Sequence, residues 1–290
     1  MSFDALQRRI DGLSNPSAVG LDTTAELIPP LILASSGSLA EAFVRFNRGL
    51  IDALRDVVPA VKPQSAFYEA LGPVGAEVLR DTAEYAKKRG MYVILDAKRG
   101  DVDSTAEAYA EAYLGGGSEY TVDAMTVNGY LGSDGILPFL RVAEERDKAI
   151  FVLIKTSNPS SGELQDLESG GERIYERLGG ILEKLAGDNT GEYGYSRLGG
   201  VVGATYPEEL RALRKKLRRT FFLVPGYGAQ GGGAKDAAGA FDGDGRGAVV
   251  SSSRAIIGAW KKSGGGEDFA EAAREAALRM RGELRKELGL

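Results

Sequence analysis

Two carboxylates and an ammonium stand within one short stretch of this chain, Asp96-Ala97-Lys98-Arg99-Gly100-Asp101. A lysine set between acids is kept protonated by their charge. Such an alternating group also places negative charge beside a substrate. The stretch follows an apolar, β-branched run, Tyr92-Val93-Ile94, and precedes a helix-like segment, Ser104 to Leu114. Asp96 and Lys98 are therefore predicted at the carboxyl end of a strand, with Asp101 in the turn beyond it. Strand side chains alternate, so Asp96 and Lys98 share a face, roughly 7 Å apart along the strand. On this pattern alone, solvated loop residues or a structural ion pair would explain the three charges equally well.

Composition narrows the chemistry. The 290 residues include no Cys and no His. That removes disulfides, thiolate nucleophiles and thiolate zinc sites. It also removes the Ser-His-Asp triad in its usual form and most transition-metal sites. Acid–base work falls to Lys, Asp, Glu or Tyr, and a metal would need oxygen ligands, which favours magnesium or manganese. A net charge of −5 argues against a general nucleic-acid or membrane-surface role. No apolar run approaches the ~18 residues of a spanning helix. Met1-Ser2-Phe3-Asp4 lacks the basic-then-apolar form of a signal peptide, so a cytoplasmic protein is expected.

The elements that must position the charged stretch can be read in order. Residues 2 to 13 are predicted as a short amphipathic helix. Strands are predicted at 18–22, 60–64, 92–98, 124–128, 149–154, 198–205, 221–226 and 247–252. Helical periodicity fills 39–57, 75–89, 104–114, 136–145 and 172–186, a segment opened by Pro207, and 268–288. The strands are mostly unbroken Val/Ile/Leu/Ala runs, as expected of a parallel sheet buried on both faces. Eight strands, each followed by a helix or helix-like segment, specify a single-domain (β/α)8 TIM barrel spanning residues 1–290 rather than a doubly wound sheet. The basic run Arg211, Arg214, Lys215, Lys216, Arg218 and Arg219 is read as a solvated helix face.

In such barrels the active site lies at the carboxyl ends of the strands. Those ends carry Asp22, Lys62, Asp96, Lys98, Asn128, Thr156, Ser157, Thr205, Gln230 and Arg254, which makes an open polar mouth. The loops after strands seven and eight, Gly228-Ala229-Gln230-Gly231-Gly232 and Ser252-Ser253-Arg254, stand where these barrels bind phosphate. Glycines let backbone N–H groups approach an anion, and arginine can grip one with two hydrogen bonds. A small phosphorylated substrate is expected.

At this point the residues match a family. Asp-x-Lys-x-x-Asp after strand three, with Thr105 four residues on, resembles orotidine 5′-phosphate decarboxylase. The resemblance extends over essentially the whole chain through Gly20-Leu21-Asp22, Lys62-Pro63-Gln64, Lys155-Thr156-Ser157-Asn158-Pro159, Pro225-Gly226-Tyr227-Gly228-Ala229-Gln230-Gly231-Gly232 and Ser253-Arg254. The Asp-Ala-Lys-Arg-Gly-Asp form, the Lys-Thr-Ser-Asn-Pro segment and the chain length look like the longer bacterial subfamily, type 2.

The resemblance implies a cofactor-free, metal-free carboxy-lyase of pyrimidine (UMP) biosynthesis that turns orotidine 5′-phosphate into UMP and CO2. It implies that Lys98 donates a proton to C6 and that Asp96 lies against the departing carboxylate. Lys62 and Asp22 would bind ribose hydroxyls. Asp101 and Thr105 would reach into the neighbouring subunit's site, giving a homodimer with shared sites. Ser157 would hydrogen-bond the pyrimidine, Gln230 and Arg254 would bind phosphate, and the Gln230–Gly233 loop is a candidate lid. Thr126 and Asn128 have less definite parts. Three other readings stay open: a magnesium-dependent phosphosugar decarboxylase or hexulose-phosphate synthase of the same superfamily, a Schiff-base aldolase using Lys62, Lys98 or Lys155, and a non-catalytic nucleotide-binding barrel.

Overall fold

A computed structural model describes residues 1–228, 231–262 and 266–290. Among them, eight parallel strands close a barrel in which each strand lies beside its neighbours in sequence. The strands are β1 (Ser17–Leu21), β2 (Ala60–Pro63), β3 (Tyr92–Arg99), β4 (Ala124–Val127), β5 (Ala149–Lys155), β6 (Leu198–Val202), β7 (Phe222–Val224) and β8 (Ala248–Ser252). Nearly every strand residue is buried, because helices cover the outer face and side chains fill the inner one.

The barrel interior is closed from one end by α1 (Ser2–Leu13). Its apolar stripe, Phe3, Leu6 and Ile10, joins Ile94, Phe151, Phe221, Leu223 and Val249 in a single buried cluster. The Phe3 ring lies 4.8 Å from that of Phe151 and 4.9 Å from that of Phe221. Burying a side chain of this size contributes on the order of 1.5–3 kcal/mol, so α1 is a plug rather than an appendage. Ser2 Oγ and the Tyr92 hydroxyl, at the start of β3, are hydrogen-bonded at 2.7 Å. With that end filled, a cavity can open only at the carboxyl ends of the strands.

The expected helices appear as α2 (Leu39–Leu54), α3 (Pro73–Lys88), α4 (Asp103–Leu114), α5 (Ser133–Glu145), α6 (Ile174–Ala186), α7 (Pro207–Lys216) and α8 (Phe269–Leu288). Short helices at Pro30–Ala34, Ser65–Glu69, Gly162–Gln165, Ala234–Ala237 and Arg254–Ile257 occupy the upper loops. Glu168–Ser169 and Glu172–Arg173 form a small antiparallel hairpin, so α6 begins two residues later than its periodicity suggests.

One part of the basic run is not a solvated face. Arg214 is 8% exposed, with its guanidinium over the Phe222 ring at 4.2 Å and donating to the Gly247 carbonyl. The arginine stem and π contacts let it serve as core while its charge is met by backbone oxygens. Among the described residues, no helix is long and apolar enough to cross a membrane.

Candidate active site

At the open end of the barrel lies a cavity of about 450 Å³, within the range of small-molecule sites. Its floor is an alternating array of charges from three adjacent strands. Lys62, from the end of β2, donates to Asp96 Oδ2 at 2.8 Å and stands 3.8 Å from Asp22 Oδ1. Lys98 donates to the other Asp96 oxygen, Oδ1, at 2.6 Å. The order is thus Asp22, Lys62, Asp96, Lys98, acid and base in turn. Asp22 Oδ1 is buried and has no hydrogen-bond partner among the described residues, so its charge is answered by Lys62 at ion-pair distance alone.

Burial and pairing act in opposite directions on these groups. Burial alone would push the Asp96 carboxyl up, but the Lys62 and Lys98 ammonium groups outweigh it and hold the carboxyl well below the usual range. Burial likewise disfavours the Lys62 charge, and Asp96 and Asp22 outweigh that and raise its pKa. Both groups are therefore charged at neutral pH. Lys62 is 5% exposed, whereas the Lys98 side chain is 45% exposed, so Lys98 is the cation that faces the open cavity. Both Asp96 oxygens already accept from ammonium groups, an arrangement that repels a divalent cation rather than gathering one.

The shared face expected for Asp96 and Lys98 is observed, although the strand is not regular there. Lys98 has a left-handed backbone, φ 49°, and the β3–β4 register slips between Leu95 and Arg99. Asp101 is not part of the array. Its carboxylate accepts from the Val102 amide at 2.9 Å, and neither it nor the exposed Thr105 lines this cavity. Within the chain Lys98 is therefore paired with one acid, Asp96, and is not flanked by two.

Ser157, Thr156, Gln64 and Thr126 line the wall. Thr156 is fixed by Gln165, which accepts from its amide at 2.9 Å and donates to its hydroxyl at 2.8 Å. Two expected mouth residues turn elsewhere. Asn128 is exposed, with Oδ1 taking the Tyr130 amide, and Thr205 donates to the Ser157 carbonyl at 3.3 Å. Lys155, an aldolase candidate by position, is fully buried outside the cavity. It donates to Asp166 at 2.6 Å and Ser161 at 3.2 Å, with its ammonium 4.3 Å from the Tyr206 ring centroid. It is an anchor for the loop after β5 and no nucleophile.

The opposite wall comes from the ends of β7 and β8. Gly226, Tyr227, Ser252, Ser253 and Arg254 border the cavity, and the loop folds on itself through Gly228 N to Gly232 O at 2.8 Å and Gly232 N to Gly226 O at 3.1 Å. Arg254 is exposed and forms no ion pair among the described residues. Ser253 approaches β1 so closely that a Cβ at Gly20 would stand 1.9 Å from its hydroxyl oxygen, which is why Gly20 precedes Asp22 by two residues without a side chain. Gln230 and the start of the expected lid lie outside the described residues.

Comparison with known proteins adds a family. Residues 19–268 match the family model described as orotidine 5′-phosphate decarboxylase / HUMPS. The orotidine 5′-phosphate decarboxylase of Clostridium novyi (strain NT) is 44% identical over 287 residues, covering 98% of this chain and 99% of that one. A crystal structure from Streptomyces avermitilis is 35% identical with a TM-score of 0.82, over 99% of this chain and 95% of the other. The structure of Leishmania donovani OMP decarboxylase is 32% identical with a TM-score of 0.74, over 97% and 98%.

Proposed function

The chain belongs to the orotidine 5′-phosphate decarboxylase family, and we propose how its own residues divide the work of that reaction. The reaction converts orotidine 5′-phosphate to UMP and CO2 in pyrimidine biosynthesis. The bond from C6 to the carboxylate breaks, its electron pair stays on C6, and a proton must arrive there. A pyrimidine C6 has no adjacent electron sink, so stabilisation must come from preorganised charge close to the carbon.

In this reading Lys98 is that charge and also the proton source. Its ammonium sits beside C6 and delivers its proton as CO2 departs, and solvent then recharges the amine. Asp96 faces the substrate carboxylate and fixes the ammonium. Lys62 and Asp22 bind ribose hydroxyls from the cavity floor that both line. Ser157 meets the pyrimidine and Arg254 takes the phosphate at the opposite wall, a role that the sequence resemblance also gives to Gln230. That grip supplies binding energy far from the reacting carbon, which aligns the base over the array. No cofactor enters the scheme.

The observation that carries this reading is the Lys62–Asp96–Lys98 array at hydrogen-bond distances on the cavity floor. The test is direct. Purified protein mixed with orotidine 5′-phosphate should show the ultraviolet absorbance change of decarboxylation at the same rate with and without EDTA. Turnover abolished by EDTA would make Asp22 and Asp96 metal-ligand candidates and refute the lysine-centred scheme.

We also propose that the active unit is a homodimer, with Asp101 and Thr105 completing the partner's site. Both residues lie outside their own cavity, Asp101 in the turn before α4 and Thr105 in its first turn. Around them Val102, Tyr109, Tyr130, Leu131 and Leu137 are exposed, with Tyr130 at 74%. Exposed apolar side chains gathered on one face mark an interaction surface. Lys98→Ala and Asp101→Ala, each inactive alone, should regain up to about a quarter of wild-type activity when mixed, because a random mixed dimer rebuilds one site and exposes the other to both losses. Absence of recovery, with subunit exchange verified by tagged chains, would place Asp101 in its own chain's function.

A further inference from the structure

Lys98 occupies backbone space that a non-glycine residue enters only against a cost of ~1–3 kcal/mol, with φ 49°. The β3–β4 ladder is interrupted at the same place. Leu95 pairs with Met125 and Arg99 with Val127, so Asp96, Ala97 and Lys98 on β3 stand opposite the single residue Thr126 on β4. The Lys98 amide thus has no ladder carbonyl and needs another acceptor.

Thr126 supplies it. Its Oγ1 accepts from the Lys98 amide at 2.9 Å and donates its own proton to Asp96 Oδ1 at 2.9 Å. Lys98 Nζ donates to that same carboxylate oxygen at 2.6 Å. The contacts close a ring, from the Lys98 backbone through Thr126 and Asp96 to the Lys98 ammonium. Thr126 is 1% exposed, and its one hydroxyl proton is committed to Asp96.

We infer that Thr126 is the positioning residue of this site, its hydroxyl fixing the strained backbone of Lys98 and, through Asp96, the direction of the ammonium. The inference rests on the reading of Lys98 as proton donor. It adds what that reading lacks, namely how a lysine that is nearly half exposed keeps one pose. Without the hydroxyl, the Lys98 amide loses its acceptor and Asp96 loses the donor that sets its rotation, so the ammonium drifts from the line to C6 while the distant phosphate and ribose contacts remain.

Three substitutions test this. Thr126→Val keeps the shape and removes the hydroxyl. Thr126→Ser and Thr126→Ala both lose the methyl group and differ from each other by the hydroxyl alone. For Thr126→Val and Thr126→Ala, kcat should fall about 100-fold, the effect of misplacing a reacting group by ~1 Å. KM, and Kd for UMP, should stay near wild type, and Thr126→Ser should retain most of kcat. A purely structural role would lower the melting temperature of both small variants without separating their kcat values. Equal kcat for Thr126→Ser and Thr126→Ala, or losses lodged in KM, would overturn the inference, and this pair decides it if Thr126→Val does not fold. Lys98→Ala is assayed alongside. If it retains turnover, the lysine reading itself fails. If it is inactive while the hydroxyl-free variants keep wild-type kcat, only the role of Thr126 fails.

Discussion

Lys98→Ala should fold, bind UMP and lose turnover by roughly four to seven orders of magnitude. This combines the ~10²–10³ lost with one preorganised donor and the ~10²–10⁴ lost with a positioned general acid. Folding should survive because the Lys98 side chain is 45% exposed, and its removal leaves Asp96 paired with Lys62 at 2.8 Å. The melting temperature should therefore move little. The combination discriminates: an active Lys98→Ala enzyme would end the mechanism, and an unfolded one would mean that the lysine is a structural tie.

Asp96→Asn should fail in both respects. The carboxylate is buried between two ammonium groups and a hydroxyl. Its neutral replacement leaves Lys62, 5% exposed, with only Asp22 at 3.8 Å to answer its charge. Breaking a buried pair by removing one partner costs about 3–5 kcal/mol, a fall in melting temperature on the order of 10 °C for a chain of this size. Turnover should vanish with it, since the ammonium of Lys98 loses its anchor.

The pH dependence has a definite sign. The Asp96 pKa is depressed in the fold, so the stability it confers is present above the unfolded carboxylate value of about 3.9. That stability is lost as the pH falls towards the folded value. The Lys62 pKa is raised, so its contribution is complete below the unfolded lysine value of about 10.4. It declines only as the pH rises through the folded value. The margin of wild type over Asp96→Asn should be flat from about pH 5 to neutrality and shrink in acid below that. Thermal melts across that range measure it, and a margin that grew in acid would contradict the assignment.

The barrel was legible because its strands are buried on both faces and so read as unbroken apolar runs. The acidic and basic residues that end β1, β2 and β3 were legible for the same reason, since they stand out where such a run stops. Less legible was how two interruptions of the ladder sort the lysines. Along β5, Phe151 faces the barrel interior, and strict alternation would carry Lys155 there too. The register slips between Leu153 and Lys155, and the lysine leaves the interior for Asp166 and Tyr206. Along β3 the slip falls between Leu95 and Arg99, and Lys98, with a left-handed backbone, stays on the inward face beside Asp96. A bulge adds residues without altering the apolar pattern, so periodicity does not announce it.

Other features were hidden by residue type. Thr126 looks like any strand threonine, and its importance comes from what lies across from it. Arg214 sits in a run of bases whose other members reach solvent, and the Phe222 and Tyr195 rings against it, with the backbone oxygens it meets, mark it as core. The amphipathic stripe of α1 was visible, but not that it would be inserted into the barrel end. A stripe specifies that a face is buried and leaves its partner open.

The mechanism places one ammonium group beside the reacting carbon, and chemical replacement of that group tests it most sharply. Because the chain contains no Cys, alkylation of Lys98→Cys with 2-bromoethylamine is confined to that position and rebuilds an ammonium on a side chain of nearly the same length. Lys98→Cys should be inactive before treatment, and afterwards should recover decarboxylation of orotidine 5′-phosphate to within about 100-fold of wild type, the allowance for a small misplacement. A fully alkylated protein that binds UMP normally yet remains as inactive as the untreated variant, or a Lys98→Cys enzyme that turns over before treatment, would contradict the account.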